Sequence, residues 1–212
     1  MCGRYSIGNE IQDLAKRYKL KVPEGFDASY NAAPGQPLPI VSKGENNSFS
    51  MVHWGIQPFW AKDSSKRLIN ARAETVGEKA TFKKSFQQGR CLVAADGYYE
   101  WMKGPDGKTP YRITRTDTNA FFLAGIWDTD QQGQPAYAII TTQASPSVAQ
   151  IHERMPVMLT DEAVDFWCSD TEDYKGLLDV LRPFDDQKLA SYAVSKKVNW
   201  VGNNEASLRE PA

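Results

Sequence analysis

The stretch RCLVAADGYYEWM, residues 90–102, decides how the chain is read. Cys91–Ala95 is an unbroken apolar run and Tyr98–Met102 is rich in aromatics, with Asp96-Gly97 between them. Short runs of this kind, bounded by turn residues, read as strands. More lie on either side: Leu38–Ser42, Phe49–Trp54, Tyr111–Thr114, Phe121–Trp127 and Ala136–Thr142. Asp106-Gly107 reads as a hairpin turn between two of them. Helical periodicity is sparser. Ile11, Leu14, Ala15 and Tyr18 share one face of a helix expected over residues 9–20, with Asn9 and Gln12 spaced as a capping box. Further helices are expected over 73–88, over Asp161–Cys168 behind an N-capping Thr160, and over 172–181 before Pro183. Tyr30–Pro39 holds three prolines and a glycine and reads as a structured loop. Strands follow one another instead of alternating with helices, so the expected fold is α+β with a largely antiparallel sheet and flanking helices. With no repeat and no break in composition, residues 1–212 read as a single domain.

Composition narrows the function classes. Hydrophobic residues make up 41% and charged residues 24%, which excludes a disordered or fibrous chain. The formal charge is −1, so a generally basic nucleic-acid coat is excluded, but a local one is not. Residues 61–90 carry eight basic against three acidic side chains, a net +5, and residues 159–190 a net −6. Either window by itself is equally a solvated surface. The longest apolar run, Phe121–Trp127, is too short to span a bilayer, and the N-terminal residues MCGRYSIGNE hold no apolar signal region. Cys2, Cys91 and Cys168 are too few for a disulfide framework and fit a reducing, cytoplasmic compartment. Three scattered cysteines and two histidines have no metal-ligand spacing, and neither a phosphate-cradling glycine loop nor a GxSxG serine motif is present.

Four sites could carry chemistry. Cys2 follows the initiator methionine, whose removal leaves a free α-amine beside the thiol. Such a 1,2-aminothiol condenses with an aldehyde to a Schiff base and closes to a thiazolidine; the same residue could be an incidental buried cysteine. His152, between a helix-like turn and an expected strand Val157–Leu159, could be a general base or a structural histidine. Glu100 should share one strand face with Tyr98, opposite Tyr99 and Trp101. A carboxyl among aromatics has a raised pKa, as a general acid needs, though it could equally sit at the rim. Asn70 and Arg72 place an amide and a guanidinium two residues apart, suited to orienting a nucleophile and pairing with phosphate, or to a polar loop. His53, the second histidine, reads as a partly buried strand residue.

The motifs taken in order carry a resemblance. MCGRY at the start is followed by Asn31-Ala32-Ala33-Pro34-Gly35, Trp54-Gly55, Ile69-Asn70-Ala71-Arg72-Ala73-Glu74-Thr75 and Arg90-Cys91-Leu92. Then come Asp96-Gly97-Tyr98-Tyr99-Glu100-Trp101, Ala124-Gly125-Ile126-Trp127 and His152-Glu153-Arg154-Met155-Pro156. This series closely resembles the SOS response-associated peptidase (SRAP) family, from Cys2 to about Pro211. The resemblance implies a barrel-like core and a bacterial, cytoplasmic, nucleoid-associated monomer needing no cofactor, metal or membrane. Its implied partner is single-stranded DNA containing abasic sites. It implies a thiazolidine DNA–protein crosslink formed by Cys2, with Asn70, Glu100 and His152 as the other catalytic residues, and self-removal of Met1. It also implies DNA contacts by Arg4, Arg72, Arg154, Trp54 and Trp101. His53 and the Gln57-Pro58-Phe59-Trp60 segment depart from the family pattern. Two other readings stay open: an N-terminal-nucleophile thiol peptidase or amide hydrolase, and a non-catalytic single-stranded DNA binding module.

Overall fold

The computed structural model describes residues 2–42, 48–58, 60–61, 67–130 and 133–212. Met1, Phe59, Lys62, Asp63 and Lys66 lie outside them, and with them part of the basic window.

Five strands close into a barrel. They are β3 (Pro37–Ser42), β4 (Ser50–Trp54), β6 (Arg90–Ala95), β9 (Phe121–Thr129) and β10 (Pro135–Gln143). They pair in the order β10-β4-β3-β6-β9, and β9 returns to β10. Every residue of β6 is buried, as are the first six of β9. The unbroken apolar runs have this cause: one face fills the barrel and the other is covered. One edge of β10 is shared end to end by β4 and by β5 (Asn70–Arg72), both parallel to it. The short β11 (Arg154–Pro156) pairs antiparallel with the end of β10. A second, antiparallel sheet has the order β12-β8-β7-β1-β2, from β12 (Leu189–Ala193), β8 (Gly107–Arg115), β7 (Gly97–Gly104), β1 (Tyr5–Ile7) and β2 (Ser29–Ala32). The fold is α+β, as the strand succession predicts, and the barrel implied by the resemblance is present.

Among the described residues five short helices flank the sheets: α1 (Ile11–Tyr18), α2 (Ala80–Gln88), α3 (Pro146–Ala149), α4 (Asp161–Cys168) and α5 (Tyr174–Asp179). Several expectations need correction. The helix over 73–88 starts only at Ala80, because Ala73 N–H still donates to Thr141 O of β10 and the turns at Thr75–Lys79, with Gly77 among them, follow. The Asn9/Gln12 capping box does not form: Glu10 is the N-cap, with no side-chain cap bond. The strand expected at Val157–Leu159 lies three residues earlier, at β11, with only a bridge from Met158 to Leu123. Thr160 does cap α4, its hydroxyl accepting from Ala163 N–H at 3.3 Å. Tyr30–Ala32, the start of the expected loop, belong to strand β2, which is placed against β1.

Two buried ionic groups tie these parts together. Arg90 is fully buried and donates to four main-chain carbonyls: Trp167 and Ser169 at the end of α4, and Phe86 and Gln87 at the end of α2. A cation suits these orphan C-terminal carbonyls of helices. It follows that Arg90 is no part of the basic surface.

Asp96, at the corner between β6 of the barrel and β7 of the second sheet, accepts from the Ser6 hydroxyl and from Gly8 N–H at 2.8 Å. It also accepts from Arg112 Nη2 at 2.8 Å and Arg209 Nη1 at 2.9 Å. Gly97 makes room: a Cβ there would meet the Arg112 guanidinium at 2.8 Å. Asp96→Ala would leave Arg112 buried without its counter-charge. The expected loss is about 3–5 kcal/mol of unfolding free energy by urea titration, and a loss below about 1 kcal/mol would contradict this role.

Candidate active site

The site forms between the two sheets, with two residues from each side. Cys2 and Glu100 belong to the second sheet. Tyr5 pairs with Tyr98, and Tyr99 N–H donates to Arg4 O at 2.9 Å, so the residues ahead of β1 run alongside the middle of β7. Asn70 and His152 come from the barrel side. Asn70 opens β5 opposite Ile139 of β10, and His152 stands just before β11, which pairs with the end of the same strand. Asn70 Nδ2 donates to Cys2 O at 2.8 Å and bridges the two sheets.

The electrostatics reflect burial. Cys2 is fully buried, and Glu100 is 4% exposed. Burial, with the nearby Glu100 charge second, pushes the Cys2 thiol well above the usual thiol range, and the Arg4 backbone N–H partly opposes this. Burial also raises the Glu100 carboxyl above its ordinary value, with the charge of His152 opposing. His152 Nδ1 accepts from Arg154 N–H at 3.0 Å, so a neutral ring carries its proton on Nε2. The resting group is a protonated thiol beside a carboxyl that keeps its proton further toward neutral pH. Such a pair suits proton delivery to a reacting oxygen and proton removal from sulfur. Among the described residues no three His, Cys, Asp or Glu side chains form a metal-binding group.

The five residues expected at DNA fall into different settings. Arg72, at the end of β5, is exposed. Arg4 Nη1 donates to Asn31 Oδ1 at 2.6 Å and to Val198 O at 2.7 Å, with the guanidinium 5.8 Å from the Trp101 ring centroid. Trp101 Nε1 donates to Asn199 Oδ1 at 2.7 Å. This group fastens the C-terminal segment to the second sheet. Trp54 needs correction: it is fully buried, stacked on Tyr137 and edge-on to Tyr5, with Nε1 on Ile69 O at 2.9 Å. No face of its ring is open for a base to stack on. Arg154 is 9% exposed and doubly bonded to Glu74, at 2.6 and 2.9 Å, with a third bond to Thr141 O at 2.6 Å. A phosphate reaches its guanidinium only by displacing Glu74. His53 is exposed, not partly buried, and its Nδ1 lies 2.8 Å from Gly35 O.

Sequence reasoning assigned no role to Asn31 and named Tyr98 only as a face neighbour. Asn31 Nδ2 donates to the carbonyls of Val198, Trp200 and Asn203, all supplied by the other end of the chain. No local pattern could signal that. Tyr98 is fully buried on the Cys2 side of β7, and the alternation that placed Glu100 was its signal.

These settings separate the two central arginines by experiment. Arg154→Ala removes a nearly buried side chain together with its bonds to Glu74 and Thr141 O and is expected to cost about 1–3 kcal/mol of stability. Arg72→Ala, at an exposed position, is expected to stay within about 0.5 kcal/mol of the parent. Thermal and urea denaturation of both variants checks this, and equal losses would contradict it.

Comparison with known proteins places this geometry. The family model described as SOS response associated peptidase (SRAP) matches residues 1–201. The chain is 40% identical to the abasic site processing protein YoqW of Bacillus subtilis, covering 99% of each chain. It is 31% identical to the abasic site processing protein YedK of Escherichia coli over the full length of both. It is 32% identical to the abasic site processing protein HMCES of Gallus gallus, covering 88% of this chain and 67% of that protein. A crystal structure of a protein from Bacteroides thetaiotaomicron superposes with a TM-score of 0.89 at 26% identity, over all of both chains. The match spans β1 and β7 as well as β5 and β11, the elements that bring Cys2, Glu100, Asn70 and His152 together, and the chain belongs to the SRAP family.

Proposed function

We propose that this chain handles abasic sites in DNA, and that it does so by capturing the opened sugar covalently through Cys2. Family membership and the names of its relatives support the first part. One observation carries the second: the near-terminal Cys2 is fully buried, its carbonyl is held by Asn70 at 2.8 Å, and Glu100 is close enough for its charge to act on the thiol. A structural cysteine needs neither an amide clamp nor a carboxyl beside it.

The chemistry balances with these groups alone. An abasic sugar interconverts with a ring-opened aldehyde, and a protonated Glu100 can supply the proton that the ring oxygen takes up as its bond to C1′ breaks. The Cys2 α-amine, freed by loss of Met1, attacks C1′, and the adduct loses water to give an imine. Sγ then attacks the same carbon, the C=N electron pair moves to nitrogen, and the thiol proton follows it by way of Glu100 or His152. Amine, thiol and aldehyde become thiazolidine and water. Ring closure is intramolecular, which offsets the low thiolate content of a thiol whose pKa is raised. Asn70 uses Nδ2 on the Cys2 carbonyl, and its buried Oδ1, without a partner among the described residues, can accept from the amine.

A denaturing gel with an abasic single-stranded oligonucleotide tests the reading. A slow-migrating covalent band is expected, with an intact mass equal to the chain from Cys2 plus the oligonucleotide less one water. Cys2→Ser and Cys2→Ala should give no stable band. A wild-type chain that binds this DNA and leaves it unmodified would overturn the proposal.

The raised Glu100 carboxyl sets a pH limb. The crosslinking rate should rise with pH as the amine loses its proton, then fall as pH passes the raised Glu100 value and the acid is spent. Glu100→Gln cannot exchange a proton. It should lose the falling limb and slow by about 10²–10⁴-fold in single-turnover kinetics, with DNA binding retained. Equal profiles for the two proteins would show that Glu100 is structural.

A further inference from the structure

We propose that the Tyr98 hydroxyl is a substrate contact of this site, donating a hydrogen bond to the C1′ oxygen of the opened sugar as the amine attacks. The inference rests on the crosslinking reading above and assigns a residue to it.

Four tyrosines are fully buried: Tyr5, Tyr98, Tyr99 and Tyr137. Three have their hydroxyls engaged. Tyr5 and Tyr137 bond each other at 2.7 Å, and Tyr99 donates to Tyr30 O at 2.9 Å. The Tyr98 hydroxyl is buried with no hydrogen-bond partner among the described residues. Tyr5 stands directly opposite on β1, but its hydroxyl is committed to Tyr137. A buried polar atom left without a partner destabilises the folded state, and native chains rarely retain one without cause. Removing it takes only a phenylalanine, which fills the same volume.

Position supplies the cause. Tyr98 lies two residues before Glu100 on the same face of β7, directly opposite Tyr5 on the strand that Cys2 leads into. The second buried orphan here is Asn70 Oδ1, on the residue that holds the Cys2 carbonyl. The donor thus lies on the face of β7 that carries Glu100, and the acceptor on the residue that holds the Cys2 carbonyl. The step needs both, an acceptor for the amine N–H and a donor for the oxygen on which charge develops as the C1′=O electron pair moves onto it. Burial and the neighbouring Cys2 and Glu100 charges hold the phenol well above its ordinary range, so Tyr98 donates a hydrogen bond without giving up its proton, and Glu100 remains the acid. A preorganised donor in a site closed to water acts on the transition state more than on the bound substrate.

Tyr98→Phe is the test. Single-turnover crosslinking to an abasic single-stranded oligonucleotide at saturating DNA is expected to slow on the order of 10²-fold, as for loss of one oxyanion donor. The melting temperature should be unchanged or higher, affinity for undamaged single-stranded DNA unchanged, and the pH profile lowered without change of shape. A wild-type rate would overturn the proposal. So would a lower melting temperature or failure to fold, since the hydroxyl would then be structural. A wild-type protein that forms no crosslink would instead overturn the reading on which this inference rests.

Discussion

The arrangement depends on one carboxylate. Asp96 sits where the chain passes from barrel to second sheet, and its two oxygens collect Ser6, Gly8, Arg112 and Arg209. Those partners come from β1, the turn after it, β8 and the C-terminal segment. Buried carboxylates are unfavourable unless paired and bonded, and this one is both. What it fixes is the course of β1, because Ser6 and Gly8 are held on either side of Ile7. The strand is only three residues long and could not hold its place by ladder bonds alone. Cys2 is three residues upstream of that strand, so the position of the proposed nucleophile is set by a group on the far side of it.

The site in turn is a seam, not a pocket cut into one element. β7 contributes Tyr98 and Glu100, the lead into β1 contributes Cys2, and the barrel contributes Asn70 and His152 through the two edges of β10. Rigid strands hold each contributor, which suits a reaction requiring nitrogen, sulfur and two proton carriers around one carbon. The seam holds groups that burial makes unfavourable in the absence of a ligand: a carboxyl whose pKa is raised and two polar atoms without a partner among the described residues. The stability they forgo is supplied elsewhere, by the apolar barrel and by networks such as that of Arg90.

Much of this was legible in the residues. The seven apolar or alternating runs located β3, β4 and the five strands from β6 to β10 other than their ends, because burial on both faces writes an unbroken apolar signal in β6 and β9 and burial on one face an alternating signal in β4. The alternation in Gly97–Trp101 is seen in the packing, with Tyr98 in the main core and Tyr99 and Trp101 in the separate cluster of Val194, Val198 and Leu208. Strands β1, β2, β5 and β12 were not legible. They are three to five residues long, too short for a pattern to stand out from its surroundings, and they exist because a partner strand waits for them. The same limit applies to the site. Family motifs named Asn70 and His152, but that Glu74 occupies Arg154, or that Trp54 is core, follows from contacts across 80 positions and from packing that no local window contains.

The bond from Arg4 to Val198 joins residues 194 positions apart. At a synthesis rate of about 5–20 residues per second, the partner of Arg4 emerges roughly 10–40 s after Arg4 itself. The amino end is thus made first and enclosed last. Early in that interval β1 has neither β2 nor β7 against which to rest, and to its end it lacks the C-terminal segment, so Cys2 begins as open to solvent as any residue of a nascent chain. Once the sheet assembles, the residue is fully buried. Chemistry at this terminus that needs a bulky enzyme therefore belongs to the nascent chain, and chemistry carried out by the fold itself to the period after closure.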